Sequence, residues 1–114
     1  MHDIPNRIAD VLLEVEASLR VHGKWDEQKP NPNDLRSTFP FCLDTLKFEQ
    51  WLQWIFLPRM KDTLEKTKPL PAQSAIFEYA EECLHKSDPS TDTLLKQLKT
   101  FDELISIQAG ALRH

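Results

Sequence analysis

Glu82 and His85 stand at Glu-x-x-His spacing, which puts a carboxylate and an imidazole on one helix face, as in carboxylate-bridged metal bundles. Such a centre needs two of these pairs and two further inward carboxylates. No other Glu of the chain has a His three residues on. The four His (His2, His22, His85 and His114) lie mostly at the ends of elements and lack zinc spacing. Glu78, Glu81 and Glu82 share a face, but neighbouring solvated carboxylates mark a surface more often than a catalytic pair. Glu81 and His85, four apart, fit a surface pair worth about 0.3–0.5 kcal/mol. No Ser or Thr nucleophile motif is present, and Cys42 has no base beside it, only Phe41 and Leu43. No catalytic, cofactor-binding or metal-ligating residue is assigned, and no cofactor is expected.

Recognition is the chemistry that remains. Two of the three Trp and four of the six Phe fall within residues 38–60. Aromatics and Arg are enriched at interaction hot spots. Trp54, Pro58 and Arg59, with Trp25 and Phe41 if the preceding loop folds over them, form the candidate interaction surface. Core packing competes as an explanation of the same stripe, with Arg59 pairing an acid such as Asp44.

Helices must position these groups. From Phe48 the apolar residues Trp51, Leu52 and Ile55 recur at helical spacing, while Glu49, Gln50 and Gln53 fall opposite. Trp51 lies near the centre of that stripe and Trp54 at its edge. Thr45 or Asp44 is the expected cap. Pro58 lacks a donor and crowds the preceding turn, so a kink is expected near Leu57, with continuation to about Lys66. Upstream, Ile4, Ile8, Val11, Leu12, Val15 and Leu19 give the cleanest amphipathic pattern, from an Asp3 cap to a Gly23 stop. Between them, prolines at 30, 32 and 40 rule out a long regular element. The apolar residues Trp25, Leu35, Phe39, Phe41 and Leu43 predict an ordered cover there.

After the Pro69-Leu70-Pro71 connector, Ala72, Ala75, Ile76, Tyr79, Ala80, Cys83 and Leu84 line one side of a third helix. Leu94, Leu95, Leu98, Phe101, Leu104 and Ile105 line a fourth, which Gly110 ends. The prediction is all-α: a four-helix bundle over 4–22, 46–66, 71–86 and 90–110, with a long ordered aromatic-rich loop between helices 1 and 2 and a Pro-kinked helix 2.

The 114 residues fit one domain, 1–114. Only 2 Gly argue against an all-β fold and against a phosphate-cradling loop. A net charge of −4 with no basic stripe disfavours direct RNA or DNA binding. No run approaches the ~18 apolar residues of a membrane span. The N-terminus carries Asp3 and lacks an apolar leader, so a cytoplasmic location is expected. Cys42 and Cys83 are expected to be reduced, buried thiols, unpaired with each other.

Ser37-Thr38-Phe39-Pro40-Phe41, Asp44-Thr45, Trp51-Leu52-Gln53-Trp54 and Pro58-Arg59-Met60, together with Trp25 and Pro69-Leu70-Pro71, resemble the YqcC-like family of small bacterial proteins of unknown function. This chain has Phe48 where a relative carries a helix-starting Pro. The resemblance implies an all-α fold and no established activity. Its relatives are often encoded beside a tRNA pseudouridine synthase, which implies an accessory role in RNA modification by association, not by mechanism.

Three readings compete. The first is a non-enzymatic cytoplasmic module docking an unspecified protein partner, a second copy of the chain included. The second is a small-molecule binder or enzyme with a pocket between loop and bundle. The third is an accessory protein to tRNA pseudouridine synthesis. A deep apolar cavity with converging polar groups would favour the pocket; a flat exposed patch would favour docking.

Overall fold

The computed structural model describes residues 4–38, 44–84 and 89–111. They form helices α1 (Ile4–Val21), α2 (Pro32–Leu35), α3 (Phe48–Trp51), a π-helical turn (Leu52–Phe56), α4 (Leu57–Glu65), α5 (Ile76–Cys83) and α6 (Pro89–Ala111). No strand occurs among the described residues. One buried cluster draws side chains from α1, the 48–65 run, α5 and α6.

The α1 stripe packs as its spacing requires, with all six apolar positions buried. Gly23, at φ +70°, closes the helix. The Lys24 amide donates to Leu19 O at 2.7 Å and the Gly23 amide to Arg20 O at 3.2 Å. These bonds satisfy carbonyls that the helix end leaves free. The helix α6 runs antiparallel to α1: Ser18 Oγ donates to Gln97 Oε1 at 2.9 Å, while His22, just past the end of α1, shares a crevice with the earlier Thr91.

Residues between α1 and α3 include one helical turn, α2, absent from the sequence reading. Asn31 Oδ1 caps it by accepting from the Asn33 amide at 2.9 Å, and Pro32 occupies the first turn, where its missing donor costs nothing. Phe39, Phe41, Cys42 and Leu43 lie outside the described residues, and with them most of the expected aromatic cover.

The second long helix starts at Phe48, two residues later than expected. Neither Asp44 nor Thr45 caps it; the Thr45 hydroxyl donates to Asp34 O at 2.7 Å instead. The Lys47 amide donates to Gln50 Oε1 at 2.8 Å, so Gln50 does the capping. The disturbance expected from Pro58 takes the form of a π turn. Pro58 has no N–H for Trp54 O, and its ring crowds that carbonyl. The backbone widens just before it, and the Leu57 amide reaches Leu52 O, five residues back.

That extra residue rotates the faces that follow it, and along the whole run three expectations are corrected. Gln53, placed on the polar face by α-helical counting, is buried. Trp51, placed near the stripe's centre, and Ile55, placed on the stripe beside it, are half-buried. Phe56, Leu57 and Met60 take the core positions after Leu52.

Past α4, Thr67 adopts φ +53° and the connector is longer than predicted. The helix α5 begins at Ile76, not near residue 71. Its core positions are Ile76 and Ala80, and Leu84, four further on and just past its end, is buried as well. The late start leaves Ala72 and Ala75 exposed, puts Tyr79 at 38% exposure and turns Cys83 outward, correcting the buried thiol. The helix α6 buries all six of its predicted apolar positions and continues through Gly110 to Ala111.

Candidate functional site

An open groove of about 860 Å³ runs between α1, the segment after it, and the π turn with the start of α4. Trp25, Trp54 and Pro58 all line it, so three of the five residues proposed for the interaction surface meet here. Arg59, one residue on, lines a different pocket on another side of the helix. Phe41 lies outside the described residues.

Gln53 shapes the groove. Its Oε1 accepts from the Asp26 amide at 2.8 Å, and its Nε2 donates to Asp26 O at 2.7 Å. One buried side-chain amide thus pairs with both backbone groups of a loop residue, as one peptide group pairs with another in a sheet. Gln50 Nε2 adds a bond to Asp26 Oδ2 at 3.1 Å. Together they hold the segment after α1 against the π turn. Trp25 is fixed from the other side: the Arg20 guanidinium lies 4.2 Å from its ring centroid, a cation–π contact.

Glu16 organises the basic wall. Its carboxylate takes Lys61 Nζ at 2.8 Å and Arg20 Nε at 3.1 Å. The bond from Lys61 is the main cause that lowers the Glu16 pKa, partial burial opposes it, and Arg20 adds to the lowering. Asp26 and Glu27 line the groove without a cationic partner among the described residues. The Nε1 of half-buried Trp54 is shielded and makes no hydrogen bond among the described residues. Leaving such a donor unmatched costs roughly 1–3 kcal/mol.

On the far side, Asp102 of α6 receives the start of α5. Its Oδ2 accepts from the Phe77 amide at 2.9 Å, and its Oδ1 accepts from the Ile76 amide at 3.3 Å and from the Ser74 hydroxyl. Gln108, also buried, donates to Pro71 O at 2.9 Å and fastens the connector.

Among the described residues no group of three or more His, Cys, Asp or Glu could hold a metal ion. Glu82 is exposed and His85 lies outside the described residues. The exposed Cys83 thiol is pushed up by partial desolvation, then by the Glu82 and Glu49 carboxylates, which disfavours the nucleophilic thiolate. No helix of the described residues is long and apolar enough to cross a membrane.

Gln53, Gln50, Asp26 and Asp102 escaped the sequence reading. The one available signal was Ala75: a helix starting after it has no side-chain cap of its own and needs an acceptor from elsewhere.

A family model described as tRNA pseudouridine synthase C matches residues 7–104. The "Uncharacterized protein YqcC" of Escherichia coli is 36% identical over 105 residues, covering 92% of this chain and 96% of that one. The chain belongs to the YqcC-like family. An "Uncharacterized protein" of Haemophilus influenzae is 33% identical over 99 residues, 87% of this chain and 92% of its own. A Pectobacterium carotovorum protein named tRNA pseudouridine synthase C is 42% identical over 66 residues, 58% of this chain but only 18% of that protein. The solution NMR structure of E. coli YqcC superposes with a TM-score of 0.80 at 35% identity, over 92% of this chain and 90% of that one. The all-helical YqcC-like fold is therefore shared with a solved relative.

Proposed function

We propose that this YqcC-like chain is a four-helix bundle serving as a non-catalytic, cytoplasmic protein-interaction module, and that it docks its partner through the Trp25–Trp54–Pro58 groove. The observation that carries the reading is the groove itself. It joins two half-buried indoles and an exposed proline on a wall that Gln53 holds in place before any partner arrives. Pre-organised aromatic anchors lose little side-chain entropy on binding.

A tRNA pseudouridine synthase is the partner class we infer. The support is the 66-residue stretch, similar to this chain, inside a Pectobacterium protein that carries that name. The acidic balance of the chain gives it no counterion-release drive toward RNA of its own.

Calorimetric titration of the chain with the purified synthase encoded in the same genome tests this. Saturable binding is expected, with Trp54→Ala weakening it at least tenfold while the melt stays cooperative. No heat of binding removes the synthase as partner. Binding that Trp54→Ala and Trp25→Ala both leave unchanged removes the groove.

A further inference from the structure

Arg59 belongs to a second cavity that shares no lining residue with the groove. It is about 260 Å³ in volume, and Trp51, Phe56, Met60, Ile76 and Phe101 supply its walls, with the Pro71–Ala75 connector along one side. We propose that this cavity is a binding site for a small planar aromatic anion, an aromatic carboxylate in the simplest case, whose acidic group pairs with Arg59.

Three features select that ligand class. The first is aromatic walling. Trp51 and Phe56 stack with ring centroids 5.5 Å apart, and Phe101 meets Phe56 edge-on at 5.0 Å. A flat ring extends this cluster in the offset and edge-to-face arrangements aromatic groups prefer.

The second is charge. Among the described residues Arg59 is the one charged side chain lining the cavity. Its guanidinium is exposed, and no carboxylate pairs with it among the described residues. The nearby acid Asp62 is already held by Lys66 and Lys68, each at 2.9 Å. A free guanidinium fork beside an apolar wall suits a carboxylate, which it binds with two parallel N–H···O bonds.

The third is size and solvent contact. The volume falls just short of the ~300–1,000 Å³ of sites for drug-sized ligands, which suits one or two fused rings. Trp51 stays half-buried here although it packs on the core. An occupant would remove part of its remaining apolar surface from water.

Two probes differing only in charge test the site on the full chain by two-dimensional amide NMR: 2-naphthoate and its neutral amide, 2-naphthamide. Naphthoate is expected to shift the amides of residues 56, 57, 59 and 60 and of residues 72–76 saturably. Naphthamide is expected to bind at least fivefold more weakly. Arg59→Gln should weaken naphthoate at least fivefold with little change in melting temperature, since the side chain is exposed, and Arg59→Lys should recover part of the loss. Glu27→Gln, in the other groove, should change nothing. The site is overturned if naphthoate shifts do not saturate, if they map elsewhere, if the amide binds equally well, or if Arg59→Gln has no effect. None of these results bears on synthase binding, because the two sites share no residue.

Discussion

Gln53 and Asp102 perform the same task on opposite sides of the core, with opposite chemistry. Each fastens backbone groups that no helical bond pairs: those of the Asp26 loop in one case, the free amides at the start of α5 in the other. Gln53 is neutral and 4% exposed; it offers one acceptor and one donor, and Asp26 uses both. Asp102 is ionic and half-buried, and it offers only acceptors, which it gives to two amides and a hydroxyl. A neutral amide with both groups matched can be buried fully at little cost. A carboxylate keeps some contact with water, because burying charge is expensive even when hydrogen-bonded. The groove wall is therefore a dry, neutral lock, and the α5 entry a wetter, charged one.

The sharpest way to break this comparison is to remove the charged lock. Asp102→Ala leaves the Ile76 and Phe77 amides and the Ser74 hydroxyl without their acceptor. Hydrogen bonds to charged groups contribute about 1.5–3 kcal/mol each, but water reaches this site, so we expect a total loss of about 3 kcal/mol. Urea unfolding measures it, and amide exchange should rise first at Ile76 and Phe77. A loss below that of the Gln53 variant would mean that the carboxylate's desolvation cost cancels its bonds.

Gln53→Leu removes the neutral lock while keeping the volume. The Asp26 backbone pair loses both partners, at a cost of about 2 kcal/mol. Here the effect should spread into function: Trp25 loses its fixed support, so its fluorescence should shift toward that of a solvated indole. An unchanged Trp25 spectrum would mean that the Arg20 contact alone holds the ring.

How legible each lock was in the sequence follows from its cause. The α1 and α6 stripes were plain, because burial alone sets them and the 3.6-residue period carries through unbroken. Gln53 was hidden, because counting assumed one period from Phe48 to Met60 and Pro58 forces an extra residue into the turn before it. Trp25, Trp54 and Pro58 were legible as candidates by residue type alone, but their meeting depends on the loop held by Gln53. Asp102 was hidden for another reason. A cap supplied from 26 residues away leaves no local pattern, and the α5 start was misjudged in consequence.

The smallest effect compares how the two sides end their helices. The helices α1 and α4 close with the same pair of bonds: Lys24 to Leu19 O and Gly23 to Arg20 O in one, Lys68 to Thr63 O and Thr67 to Leu64 O in the other. Both need a left-handed residue, and the first has Gly where the second has Thr. A β-branched residue is ill suited there, since a left-handed conformation costs L-residues roughly 1–2 kcal/mol. Gly23→Ala should therefore destabilise by about 1 kcal/mol; an added Cβ meets nothing within 4 Å, so the cost is conformational and not steric. Thr67→Gly should run the other way. Relief of the backbone is offset by the greater freedom glycine gives the unfolded chain, about 0.4–1 kcal/mol. A net gain of roughly 0.5 kcal/mol remains, read as a higher urea midpoint with an unchanged slope. If Thr67→Gly instead destabilises, the Thr67 side chain holds the connector that walls the Arg59 cavity, and naphthoate binding should weaken in the same variant.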